Sequence, residues 1–350
     1  MLTHTDHRTA SPAVRPWIHG AFSDVALGWC WLPVALLMHS MESSVTRTQN
    51  LMAIVFLISF AHQPLTLGLV YGDEDQRNAH KSLYRWAPLG AVVLITIGLS
   101  VSLTLVALMA GLWNAEHTLM QRYGLMRIYG RKAGDTNGGL EKPMLVAWLI
   151  TALLFIGAYV NLPNMITKLG MDETNGRSVN FLHSIGGATK ALFWTGMVVS
   201  LVLAARWMRA ERSRRANAAS RAKWIYTLGT LGLVAAVMID PIAGVAGYVA
   251  AHAIEYFAIV HGSLRRRSAI GDTSAIGLAA STWRRRSTLY GGYFVAVAAV
   301  IYVSLQLWDG QAYAFAILFF GALHILYDGF VWKLRKPSVA ASLGIVAAPA

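Results

Sequence analysis

Nine apolar runs, each about as long as a bilayer is thick, dominate this sequence. They fall at 25–41, 49–71, 87–113, 143–162, 181–204, 224–239, 243–262, 288–307 and 311–332. In lipid every backbone N–H and C=O must be bonded within the protein, which leaves helices and closed barrels as spanning structures. The runs do not alternate polar and apolar residues, so they read as helices. The expected fold class is all-α, a polytopic transmembrane helical bundle of about nine helices. Composition agrees: 13% of residues are charged, about half the share of a soluble domain.

The expected organisation is simple. Residues 1–24 form a polar N-terminal segment without the basic start and apolar stretch of a cleaved signal peptide. Residues 25–336 form a single transmembrane helical domain, and 337–350 a C-terminal tail. Residues 224–262 are too long for one crossing, and Asp240-Pro241 with Ala243-Gly244 supplies a tight hairpin. Residues 114–135 mix bases and aromatics after the third run, which predicts a helical extension lying at the cytoplasmic interface.

The net charge of +13 lies in short segments beside the apolar runs. Residues 205–223 hold seven Lys or Arg, 264–287 six and 114–142 five, and the tail has Lys333, Arg335 and Lys336. That pattern marks membrane sidedness and anionic lipid as partner, and argues against nucleic acid. With nine helices the basic segments and the C-terminus fall on the cytoplasmic side and the N-terminus outside. Residues 72–86, with Arg77, Lys81 and Arg85, are then also outside. The expected location is the cytoplasmic membrane of a bacterium. Cys30 is the single cysteine, so neither an internal disulfide nor a thiolate metal cluster can form.

Eleven histidines are present, and seven lie in or at the ends of runs: His39, His62, His117, His183, His252, His261 and His324. A buried imidazole brings a donor and an acceptor that need partners. A single one is commonly interhelical glue, the reading favoured for His183; seven call for a shared reason. Several have polar neighbours three or four residues away, on the same helix face. His117 follows Glu116 and precedes Gln121 by four. His252 precedes Glu255 by three and Tyr256 by four. His324 precedes Tyr327 by three and Asp328 by four, and His62 precedes Thr66 by four. That spacing suits a metal ligand beside a second ligand, or a histidine oriented by a carboxylate. Imidazole and carboxylate together suit iron, manganese or zinc. The expected ligands are His117, His252 and His324, with Glu255 and Asp328 as carboxylate ligands or orienting groups. His62, His261 and Glu116 are further candidates. Together they would line a cavity opening to the cytoplasm, with His117 at its mouth.

The segments Glu116–Gly124, His252–Tyr256 and His324–Lys333 resemble in kind the histidine-rich, non-haem di-iron membrane enzymes, a group of desaturases, alkane hydroxylases and related lipid-modifying oxygenases. The HxxxH and HxxHH boxes of that group are absent from the runs. The resemblance implies iron, dioxygen, a lipophilic or lipid substrate and a cytoplasmic electron donor, with Glu255, Asp328 and Glu116 as catalytic carboxylates. Two other readings stay open at this stage. Intramembrane His, Glu and Asp also build proton or cation relays in transporters. Paired histidines on different helices also hold haem in electron carriers.

Overall fold

A computed structural model describes residues 16–135, 138–168, 184, 186–214, 218–269, 271–307 and 311–345. His4, His7 and His183 lie outside the described residues. The helices are α1 (Ala21–Trp29), α2 (Trp31–Met41), α3 (Val45–His62), α4 (Leu65–Tyr71), α5 (Glu74–Ala79), α6 (Lys81–Val101), α7 (Leu103–Lys132), α8 (Glu141–Tyr159), α9 (Leu162–Lys168), α10 (Gly186–Arg212), α11 (Ala218–Ile239), α12 (Pro241–Ala269), α13 (Ala275–Ala279), α14 (Trp283–Leu307), α15 (Gln311–Val331) and α16 (Pro337–Ser342). Among the described residues, nine segments are long and apolar enough to cross a membrane. The protein is thus an integral membrane protein built as an all-α bundle. α12 is buried along most of its length, from Ile242 to Leu264, and is the central helix. α6 and α14 present Leu94, Val101, Val295 and Tyr302 outward, as lipid-facing helices do.

The expected third span, 87–113, is two helices rather than one. Ser102 takes an extended backbone conformation between α6 and α7, and its hydroxyl accepts a bond from the Leu105 N–H as N-cap. The chain folds back there: a Cβ on Gly98 would lie 2.6 Å from Val106 Cγ2, eight residues on. α7 then runs for 30 residues, about 45 Å, and is a tenth helix through the bundle. Its far end meets the C-terminal region, where Arg131 donates to the Leu334 carbonyl and Lys132 to that of Gly344. The stretch 114–135 is therefore no interfacial appendage. His117, Thr118, Leu119, Arg122 and Met126 on α7 are all buried.

This extra passage reverses the topology expected for the first helices. Arg267 is 2.6 Å from Asp73, and Lys336 donates to Gln76. Residues 72–86 therefore share a face with the basic segments instead of opposing them. Arg266 donates to the Ile18 carbonyl, which puts the N-terminal approach on that face too. On the opposite face His39 meets Asp240 at 2.6 Å and Lys168 meets Glu42 at 3.3 Å. His39, expected at the cytoplasmic side, thus lies at the other end. Arg77, Lys81 and Arg85 join the bases of 114–142, 205–223 and 264–287, and both described chain ends sit on that basic face. The presumed tail is also part of the fold: Val339 and Leu343 are buried beside α7.

A buried ion network fastens the basic end. Arg127 (α7) bonds Glu141 at 2.9 Å and Asp135 at 3.2 Å. Lys223 (α11) bonds Glu211 at 2.6 Å and Asp135 at 3.1 Å, and also meets Glu141. Arg214 reaches Glu211 and Asp135. Each of these three acids is matched by bases, so the set is an electrostatic clamp on four helix ends.

The hairpin at Asp240-Pro241 forms as its sequence suggests. Asp240 Oδ1 accepts from the Ala243 N–H, and a Cβ on Gly244 would lie 2.4 Å from the Val237 backbone. Gly244→Val should therefore cost about 1–3 kcal/mol through overpacking, seen as a lower unfolding temperature in detergent. The topology predicts a labelling pattern. In a Cys30→Ser background, Glu74→Cys and Lys333→Cys should react with an impermeant thiol reagent from the same side of the membrane. Ser43→Cys should react from the other.

Candidate metal centre

Four helices each bring one histidine to a common point. His62 is the last residue of α3, where Pro64 stops the helix from continuing unbroken. The carbonyl of Ala61, freed by that break, accepts from the Tyr293 hydroxyl of α14. His117 lies near the middle of α7, His252 near the middle of α12, and His324 in the second half of α15. His62, His252 and His324 are 0–1% exposed and His117 8%, so no bulk water solvates them.

The rings close in a four-membered cycle, a distorted square whose His252–His324 diagonal is 5.7 Å. Centroid separations are 4.6 Å for His62–His252, 5.0 Å for His252–His117, 4.8 Å for His117–His324 and 4.7 Å for His324–His62, with adjacent rings at 84–90°. The Nε2 atoms meet inside it. His62 Nε2 is 3.1 Å from that of His252 and 3.2 Å from that of His324, and His117 Nε2 is 3.0 Å from that of His324.

Hydrogen bonding alone does not account for this arrangement. An imidazole nitrogen offers either one N–H or one lone pair. Four such atoms can form at most two directed bonds among themselves, yet three contacts are present. A cation would satisfy all four at once, each nitrogen turning its lone pair inward. At metal–nitrogen distances of about 2.1 Å, neighbouring ligands about 90–100° apart lie about 3 Å from each other. The observed edges of 3.0–3.2 Å are of that length.

Asp328 sits beside the square. It is one turn on from His324, and its Oδ2 is 3.7 Å from His117 Nε2 and 3.8 Å from His324 Nε2. Its Oδ1 accepts from the Tyr256 hydroxyl at 2.9 Å and from Thr66 Oγ1 at 3.1 Å. Thr66 Oγ1 is also 2.7 Å from His324 Nδ1. If Nδ1 carries the ring proton and donates to Thr66, the Nε2 lone pair of His324 faces the centre. A second partner of this kind commonly fixes tautomer and orientation in metal-binding histidines.

The structure thus brings together His62, His117, His252, His324 and Asp328. The other sequence candidates lie elsewhere, each for a clear reason. Glu255 is one turn past His252 but faces Arg122, whose Nη2 donates to it at 2.7 Å. Tyr226 donates to the same oxygen at 3.0 Å, and Gln121 bridges Glu255 and the His252 carbonyl. An α-helix turns by 3.6 residues, so a side chain three residues on can meet a different neighbour. Glu116, adjacent to His117, points to the other side of α7 and is exposed. His261 lies nearer the basic face, with its Nδ1 3.1 Å from the Tyr290 hydroxyl. His117 is at mid-bundle, not at a cytoplasmic mouth, and the rings close on one another where a cavity open to the cytoplasm was expected.

Arg122 and Tyr226 escaped the sequence reading. Arg122 is 0% exposed, and lies in the stretch read as interfacial, where an arginine raises no question. Its one signal was its place five residues past His117 in the same continuous polar stretch. Tyr226 gave no signal in the sequence.

No family model matches this chain, and no curated protein or solved structure shows significant similarity to it.

The Arg122–Glu255 pair should behave as a buried ion pair. Glu255→Leu alone should destabilise the protein by about 3–5 kcal/mol, because it leaves a buried guanidinium uncompensated. The double variant Arg122→Met/Glu255→Leu should recover most of that loss. Thermal unfolding in detergent of the two singles and the double checks it.

Proposed function

We propose that this chain is a membrane-embedded, metal-dependent oxidoreductase that holds non-haem iron with His62, His117, His252 and His324, with Asp328 as carboxylate partner. The observation that carries the reading is the square of four imidazoles whose Nε2 atoms approach to 3.0–3.2 Å at mid-bundle. Four neutral nitrogens and one carboxylate suit a divalent first-row metal. Haem fits less well. Axial histidines on one iron are about 4 Å apart at metal–nitrogen distances of about 2.0 Å, with a macrocycle between them, and these rings are closer and mutually perpendicular.

When bound, iron would supply one-electron and dioxygen chemistry, and the protein its placement. The chain's own residues do the rest. Thr66 and Tyr256 hold Asp328, His324 is oriented by Thr66, and the packed helices exclude bulk water, which suppresses side reactions. A site at this depth favours a lipophilic substrate that enters from the bilayer and is hydroxylated, desaturated or oxidatively cleaved. Electrons would come from a cytoplasmic donor. The basic face, where Arg212, Arg214, Arg221 and Trp224 line an open hollow of about 410 Å³, offers charge complementarity to an acidic one. On this reading the basic face is the cytoplasmic side of a bacterial inner membrane, and both described chain ends lie there.

Elemental analysis of protein purified in detergent without chelator tests the proposal. Iron should co-purify in stoichiometric amount with the wild type. His252→Ala and His324→Ala should lose it, while Glu116→Gln and His261→Ala keep it. Folded wild-type protein that binds neither iron nor manganese, or only redox-inert zinc, overturns the reading. Thr66→Val should leave the centre in place but weaken metal affinity about 10–100-fold, as measured by competition with a chromophoric chelator.

A further inference from the structure

The ligand square is in ring contact with one further aromatic side chain that also touches its carboxylate. Tyr256 is 1% exposed. Its ring lies 4.9 Å from that of His324 and 5.3 Å from that of His62. Its hydroxyl is 2.9 Å from Asp328 Oδ1 and 2.5 Å from Thr66 Oγ1. On its other side the ring meets Trp332, 6.2 Å away and nearly perpendicular. Trp332 follows the last residue of α15 and precedes exposed Lys333 on the basic face. An aromatic chain therefore runs from the centre to that face: His324, Tyr256, Trp332.

We propose that Tyr256 is a redox-active residue, giving one electron to the metal centre and its phenolic proton to Asp328, and that Trp332 connects it to the basic face. The inference rests on the metal reading of the centre. Losing an electron makes a phenol strongly acidic, so a buried tyrosine can act as donor when a proton acceptor is already hydrogen-bonded to it. Asp328 Oδ1 is in that position. Tyr327 is a neighbouring contrast: it too is buried, but its hydroxyl contacts the Tyr71 hydroxyl and the Tyr84 carbonyl, neither of which is a base.

With hydrogen peroxide as the oxidant the step balances. The O–O bond breaks and peroxide is reduced to two waters by two electrons, one from ferrous iron and one from Tyr256. The Tyr256 proton goes to Asp328, and two protons come from solvent. The products are ferric iron, a neutral tyrosyl radical, protonated Asp328 and water. Electrons arriving through Trp332 would reduce the radical, so the same chain serves to supply the centre or to drain an unused oxidising equivalent to the surface.

The test is electron paramagnetic resonance of freeze-quenched samples. Full-length protein is loaded with ferrous iron, its iron content is measured, and hydrogen peroxide is added. The expected result is an organic radical signal whose hyperfine pattern narrows when the protein carries ring-deuterated tyrosine. That measurement identifies the radical as tyrosyl without any substitution. The signal should vanish in Tyr256→Phe, persist in Tyr327→Phe and decay more slowly in Trp332→Phe. Iron-loaded wild type without a radical, a signal insensitive to tyrosine deuteration, or an undiminished signal in Tyr256→Phe each overturns the inference. Protein that takes up no iron fails at the metal measurement, before peroxide is added; the metal reading is then the part that fails, and this inference falls with it.

Discussion

Four imidazole nitrogens linked by three contacts of 3.0–3.2 Å are the constraint around which the bundle is arranged. They come from α3, α7, α12 and α15, which are far apart in sequence. Bringing polar rings together in a bundle core is unfavourable unless each nitrogen finds a partner. The surrounding architecture reads as the means of holding them there. Pro64 ends α3 just after His62. The adjoining turn of α4 carries Thr66 back to His324 and Asp328. The polar helix α7 is threaded among apolar ones so that His117 reaches the same point.

The remaining polar groups in the interior are organised by pairing. Arg122 and Glu255 neutralise each other one turn from the square, and Tyr226, Thr230 and Gln121 take up further hydrogen-bonding capacity. At the basic end Arg127, Lys223 and Arg214 share Asp135, Glu141 and Glu211. Such pairs are a weak source of net stability but very costly to break singly. They fix how α7, α8, α10 and α11 sit relative to one another, and so help set the depth at which His117 enters the centre.

Much of the fold was legible in the sequence because the bilayer imposes one rule on every span. Nine apolar segments, the Asp240-Pro241 hairpin and the all-helical class all follow from length and hydropathy. What escaped is the helix that does not obey that rule. α7 carries Glu116, His117, Gln121, Arg122 and Arg127, so its first third reads as the end of the preceding span and the rest as an interfacial extension, although other helices, not lipid, cover much of it. Missing it reversed the sidedness of everything before it. The site was legible in part for the same kind of reason. Helical spacing linked His324 to Asp328 and His62 to Thr66, because both members of each pair reach one point. It linked His252 to Glu255 as well, but spacing does not reveal which neighbour a side chain meets, and Arg122 took Glu255 away.

The reversal at Ser102 bears on how the protein is made. Chains enter the membrane from the N-terminus, and a helix as polar as α7 gains little from lipid by itself. It must find its place once apolar neighbours exist to cover it. Two of those neighbours, α12 and α15, are synthesised long after it, and α15 supplies His324 and Asp328. Of the four helices that bring a histidine to the centre, α15 is the last to emerge, so the centre closes only with it. A chain truncated before α15 would retain most of its hydrophobic surface, yet leave three imidazoles without the fourth and α7 without a full lining. Assembly of the centre in this way waits on the synthesis of α15.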